Sequence, residues 1–223
     1  MRNEALRMQI HEFYIQELEK EIGINWNTEA DRYKSLGGTP GVYPDTLLMM
    51  IKLIRAYKLQ SIVELGSGFS TKFFNELAYH DNLKFMSYEE DPKYAEITSK
   101  FANVDPYIVT TDEFLYELVT RITVDFLFVD CLAPLRLQFM KQFSQHFLDP
   151  RCPVLILDDF ETFGGSVDGF MKVLNLQEIY VYNGTGRTDR HQLIVIPNLV
   201  IPDLSDPKYE INQWFQQEMN YLG

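Results

Sequence analysis

The sequence predicts an α/β fold: a doubly wound, mostly parallel sheet of about seven strands, with an antiparallel last strand and extra helices at the N-terminus. Three observations carry that expectation. From Ser61 onward, short apolar runs alternate with helical patterns, as in βαβ units whose parallel sheet is covered on both faces. The first of those runs ends in a glycine turn that opens a helix. The last two runs stand too close together for a parallel crossover, which needs a dozen or more residues, so they read as an antiparallel hairpin.

The elements follow in order. Leu6, Ile10, Phe13 and Leu18 recur at helical spacing across residues 1–22, an amphipathic helix. A turn-rich stretch, Ser35-Leu36-Gly37-Gly38-Thr39-Pro40-Gly41-Val42-Tyr43-Pro44, leads to a second helix from Asp45 to about Tyr57, with Leu47, Leu48, Ile51 and Ile54 facing a core. Strands are expected at Ser61–Leu65, Leu83–Tyr88, Tyr107–Thr110, Asp125–Val129 and Val154–Leu157. Helices near 70–80, 92–102, 112–121 and 135–147 separate them, and one more near 165–175 precedes the strands Glu178–Tyr182 and His191–Pro197. Ile211, Trp214, Phe215 and Met219 mark a C-terminal helix.

The 223 residues suit one domain with a sizeable core, and 46% hydrophobic content excludes a disordered chain. A net charge of −12 disfavours nucleic acid and anionic membrane surfaces, both of which call for the opposite sign. Cys131 and Cys152 lack metal or disulfide spacing and read as buried thiols in a reducing compartment. No signal peptide or membrane-spanning run is visible, so a soluble cytoplasmic enzyme is the expectation, with a homodimer left open.

The chemistry gathers at the strand ends. In Val63-Glu64-Leu65-Gly66-Ser67-Gly68-Phe69-Ser70-Thr71, glycines allow a sharp turn and close approach of a ligand at a helix N-terminus. A tight turn with Ser70 as N-cap would explain the same residues. Glu89 closes the second strand 23 residues after Gly66, where nucleotide-binding folds place a carboxylate on the ribose hydroxyls. Asp91-Pro92 reads as an N-cap followed by a first-turn proline. Asp112, after the third strand, reads either as a ligand contact or as another N-cap.

These residues resemble the motifs of class I S-adenosylmethionine-dependent methyltransferases, a Rossmann-like family. Glu64-Leu65-Gly66-Ser67-Gly68-Phe69-Ser70 looks like their first motif, and Tyr88-Glu89-Glu90-Asp91-Pro92 like their second-strand acidic motif. Ser70 stands where many members have a third glycine. The resemblance covers roughly residues 40–198. It implies S-adenosylmethionine as cofactor, bound through Glu64, Gly66, Ser67, Gly68, Ser70, Glu89, Asp112, which matches the acid near the adenine, and Asp130. Residues 1–58 would then be a helical segment covering the active site, and residues 59–223 the cofactor-binding methyltransferase domain. A nicotinamide dehydrogenase is the alternative, but it wants glycine near position 71, where Thr71 stands. A non-catalytic binding module of the same fold is a second alternative.

Asp130 ends the fourth strand, and Asp158-Asp159 end the fifth. If those strands are neighbours, three carboxylates converge where such folds bind ligands, and a hard divalent cation such as Mg2+ would neutralise them. Helix capping or contact with the cofactor's amino group are the other readings. The pattern resembles metal-dependent O-methyltransferases of the catechol and antibiotic-sugar type, which implies a small-molecule substrate methylated at oxygen and Asp130 in catalysis. Leu132 departs from it, since the sugar-modifying group often carries a further acid there. His191 begins the last strand beside the loop Asn183–Arg190 and is a candidate general base. A surface loop whose histidine starts a strand is the simpler reading. His11 and His80 fall on peripheral elements, and His146 falls near a helix end.

Overall fold

The computed structural model describes residues 2–110, 112–114, 124–131, 154–159, 180–182 and 192–195. The expected helices near 135–147 and 165–175 and the C-terminal helix lie outside them. Three helices come first: α1 (Arg2–Ile22), α2 (Trp26–Ser35) and α3 (Pro44–Ala56). The third begins at Pro44, one residue before the expected start. Pro44 at the first helical position has no N–H to lose there, and its fixed φ suits the first turn. Its expected core residues Leu47, Leu48, Ile51 and Ile54 are buried.

Helix α2 is an element that the sequence reading did not foresee. Asn25 caps it by accepting a hydrogen bond from Thr28 N at 3.1 Å, and Ala30 and Tyr33 bury its inner face.

Five parallel strands follow: β1 (Ser61–Leu65), β2 (Lys84–Glu89), β3 (Tyr107–Ile108), β4 (Phe126–Val129) and β5 (Val154–Leu157). They lie in the order β3-β2-β1-β4-β5, with helices α4 (Phe69–Asp81) and α5 (Pro92–Ala102) joining the first three. Every residue of β1, β4 and β5 is buried, as in parallel strands covered on both faces. Two short strands complete the described sheet. Strand β6 (Tyr180–Tyr182) pairs antiparallel with β7 (Gln192–Val195), and β7 pairs antiparallel with β5.

Two boundaries shift for identifiable reasons. Leu83 N donates to Ala78 O to close α4, so β2 starts one residue late and runs through Glu89. Strand β3 stops at Ile108 because Thr110 is recruited to start the next helical turn. Thr110 N and Oγ1 donate to Glu113 Oε2 at 2.7 and 3.0 Å, and Glu113 N donates back to Thr110 Oγ1 at 3.2 Å. That reciprocal capping box makes Thr110 the cap in place of Asp112. Asp91 caps α5 as expected, accepting from Lys93 N at 2.8 Å ahead of Pro92.

One hydrophobic cluster joins the N-terminal helices to the sheet, from Tyr14 and Leu18 through Leu47 and Ile51 to Phe74, Phe126 and Ile156. At its edge Arg55 of α3 forms a two-pronged pair with Asp81 of α4, at 2.6 and 3.1 Å, and also bonds Glu21 of α1. Among the described residues no helix is long and apolar enough to cross a membrane.

Candidate functional site

The chain leaves β1 toward β2 on one side and returns to β4 on the other, so the sheet's switch point lies between β1 and β4. Folds of this kind bind ligands in the crevice outside the carboxyl ends of such strands. Gly66 stands there with φ +95°, a conformation that favours glycine. A Cβ at this position would sit 2.3 Å from Asp130 O, so the two strand ends touch backbone to backbone. The helix start falls at Gly68, whose N–H donates to Thr71 Oγ1 at 2.8 Å, and not at Ser70.

Glu64 lies wholly buried beneath this turn. Its carboxylate accepts from the hydroxyls of Ser70, Thr71 (2.6 Å) and Ser87 (2.8 Å). It therefore shapes the turn from below, and Ser70, expected among the ligand contacts, is engaged in the same task. Burial pushes the Glu64 carboxyl up from 4.5 to about 7, against the pull of its three hydroxyl donors. The consequence for stability has a definite sign. Below about pH 4.5 the group is protonated in both states; between 4.5 and about 7 the unfolded chain ionises first, so stability falls through that window and then levels. The largest loss this shift supports is about 3 kcal/mol. Glu64→Gln is expected to remove this component, seen as a flatter pH dependence of the urea midpoint between about pH 5 and pH 8.

Glu89 faces the turn from β2. Four donors reach it: Ser67 N (2.8 Å) and Ser67 Oγ (3.1 Å) on Oε2, and Glu90 N (2.9 Å) and Asp91 N (3.0 Å) on Oε1. Burial raises its pKa, and these bonds oppose the rise. Asp112 is exposed at the start of the helical turn Asp112–Phe114. Phe114 packs edge-on against Tyr88, the neighbour of Glu89, at 4.8 Å between ring centroids.

Strands β4 and β5 are neighbours, with Val129 paired to Leu157, and Asp158 N donates to Val129 O at 3.0 Å. Asp130, Asp158 and Asp159 consequently converge, each offering a carboxylate oxygen within 4.8 Å of the others. Asp159 adopts a left-handed φ of 48°, a conformation aspartate tolerates better than most residues. The donor set is all oxygen, and oxygens sharing a magnesium-sized ion lie roughly 3 to 4 Å apart, so small side-chain movements would bring the three into reach.

Gly41 adjoins this cluster: a Cβ there would stand 4.0 Å from Asp130 Oδ2. The loop carrying it is held by Trp26, whose Nε1 donates to Val42 O at 3.1 Å. His11 meets Trp26 edge-on at 5.6 Å and Tyr43 at 6.4 Å. The sequence places His11 on a peripheral element, and the structure corrects this: it belongs to the aromatic group beside the loop. His191 lies outside the described residues.

Sequence reasoning also missed Tyr33. Only 2% exposed, it packs its ring on Phe69 and Phe101, and a Cβ at Gly68 would meet its hydroxyl at 3.4 Å. The Thr98 side chain lies beside its hydroxyl, and burial pushes its pKa up to about 12. The signal was present as Trp26, Ala30 and Tyr33 at helical spacing after a capping Asn25.

No protein-family model matches the sequence, and no curated protein matches it either. Solved structures match the fold. A candidate O-methyltransferase from Klebsiella pneumoniae is 17% identical, with a TM-score of 0.54 over 82% of this chain and 96% of that one. The methyltransferase PaMTH1 of Podospora anserina, bound to S-adenosylhomocysteine, is 15% identical, with a TM-score of 0.56 over 88% and 97%. A candidate caffeoyl-CoA O-methyltransferase from Staphylococcus aureus is 16% identical, with a TM-score of 0.54 over 84% and 99%. The chain has the Rossmann-like fold of the class I S-adenosylmethionine-dependent methyltransferases.

Proposed function

We propose that this chain is a cytoplasmic S-adenosylmethionine-dependent methyltransferase that methylates a small molecule at oxygen. The observation that carries the reading is the pairing of a buried acid, Glu89, with the Gly66–Gly68 turn at the sheet's switch point. Among the described residues, the sheet order β3-β2-β1-β4-β5-β7-β6 with β7 reversed supports it. Thr71 weighs against the dehydrogenase alternative. Its hydroxyl bonds both Glu64 and Gly68 N, a task that the glycine expected there in a dehydrogenase could not perform.

In this reading Glu89 holds the ribose hydroxyls, Asp112 lies toward the adenine, and Asp130 toward the methionine amino group. The turn sets the sulfonium in line with a substrate oxygen, and positioning supplies most of the rate. The C–O bond forms as the C–S bond breaks; S-adenosylhomocysteine leaves, and the hydroxyl proton passes to a base, for which His191 is the candidate. Asp130, Asp158 and Asp159 would hold a divalent cation such as Mg2+, which lowers the pKa of a bound hydroxyl.

Binding tests this first. S-adenosylhomocysteine at about 100 times its Kd stabilises a folded protein by about 2.7 kcal/mol, a rise of several degrees in melting temperature for a chain of this size. NAD is expected to give no shift, and a response to NAD alone would overturn the reading. Glu89→Gln is expected to lose most of the response. It keeps an oxygen acceptor for one of the two donor pairs, whereas Glu89→Ala would leave the N–H groups of Ser67, Glu90 and Asp91 all without an acceptor.

A further inference from the structure

Glu89 has no lone pair to spare. A carboxylate offers about four acceptor positions, and the chain fills four with its own donors. Ribose hydroxyls can reach it only by displacing one. Three of the four are backbone N–H groups of Ser67, Glu90 and Asp91, fixed by the turn and by the start of α5. The fourth, the Ser67 hydroxyl, rotates about a single bond.

A second acceptor stands ready for it. Thr98 Oγ1, fully buried on α5, lies 3.3 Å from Ser67 Oγ. The Tyr33 hydroxyl lies beside the Thr98 side chain, and Tyr33 is wedged between Phe69 and Phe101 on one side and Gly38 on the other. A Cβ on Gly38 would fall 2.4 Å from the ring, so nothing larger than glycine fits there while the ring stays in place. A Thr98 proton turned toward Tyr33 Oη would leave the Thr98 lone pairs facing Ser67.

We propose that the Ser67 hydroxyl is a switch of the ribose site, passing from Glu89 to Thr98 as ribose hydroxyls arrive, with Tyr33 of α2 as the positioning residue that keeps Thr98 ready to accept. The inference rests on S-adenosylmethionine binding at this turn and adds how the site opens. It also makes the N-terminal helices part of cofactor binding through a hydroxyl row rather than as a lid. The buried Ser67 hydroxyl keeps a partner in both positions, so ribose binding leaves no polar group stranded.

The test is calorimetric titration of S-adenosylhomocysteine into wild type, Thr98→Val, Tyr33→Phe and Ser67→Ala, and into each of the first two substitutions combined with Ser67→Ala. Thr98→Val and Tyr33→Phe keep shape and ring packing and remove one hydroxyl each. Each is expected to raise Kd about 3- to 10-fold, the weight of one hydrogen bond. In the Ser67→Ala background neither is expected to change Kd, because the group that needed the second acceptor is gone. A merely structural role for Thr98 or Tyr33 would persist in that background. Losses of equal size with and without Ser67, or wild-type affinity in both single variants, would overturn the switch. Failure of wild type to bind S-adenosylhomocysteine at all would instead overturn the cofactor assignment on which it rests.

Discussion

Replacing Gly66 by alanine is expected to destabilise the chain by more than about 4 kcal/mol, in the range that single substitutions rarely reach. Two independent costs add. An L-residue at φ +95° is strained whatever surrounds it. The new Cβ would also lie 2.3 Å from Asp130 O, 2.4 Å from Asp130 C and 2.6 Å from Cys131 N. Those are backbone atoms, and neither side can retreat. Gly66 N is held by Tyr88 O at 2.9 Å, and Asp130 N is held by Leu65 O at 2.8 Å. Any shift breaks the ladder between β1 and β2 or between β1 and β4. Gly68→Ala is the control. Its φ of 178° is extended backbone, and a Cβ there makes ordinary contact with the Tyr33 hydroxyl. It is expected to cost about 1 kcal/mol at most. Urea unfolding of the two variants measures the contrast, and equal midpoints would refute the close approach of the two strand ends.

The parts of this site that sequence reveals are those written in contiguous residues. Phe126–Val129 and Val154–Leu157 are unbroken apolar runs because both faces of their sheet are covered, so their ends and the acids that follow could be placed. Gly66 was legible for a similar reason, as a turn residue at the end of an apolar run. What stayed hidden depends on segments far apart in the chain. Tyr33 meets Thr98, and His11 meets Trp26 and Tyr43, only once the N-terminal helices dock on the sheet. The task of Glu64 could not be separated from that of Glu89 by spacing. Both are acids at strand positions, and only burial shows that one lies beneath the turn and the other beside it. Thr110 shows a local signal overlooked: a threonine followed three residues later by Glu113 is a capping box, and it ends β3 early.

Magnesium or manganese is expected to raise the melting temperature of chelator-treated protein by several degrees at about 100 times Kd, and Asp130→Asn is expected to abolish that rise. The argument is electrostatic. Asp130, Asp158 and Asp159 bring carboxylate oxygens within 4.8 Å of one another, and two of the three residues are buried. Burial weakens solvent screening, so like charges held this close cost more than they would in water. An oxygen-preferring cation would offset that cost and leave coordination positions for two substrate oxygens. Stability and catalysis then give the same signature from different sides. Methyl transfer is expected to stop in excess chelator and return with magnesium, while the melting response to S-adenosylhomocysteine persists throughout, because Glu89 and the glycine turn lie on the other side of the switch point. Calcium separates charge neutralisation from chemistry: its longer bonds still offset the repulsion but hold substrate oxygens less rigidly. It is expected to restore the melting temperature more fully than the activity. Undiminished methyl transfer in excess chelator, with no melting response to any divalent cation, would remove the metal and the oxygen assignment together while leaving the cofactor assignment in place.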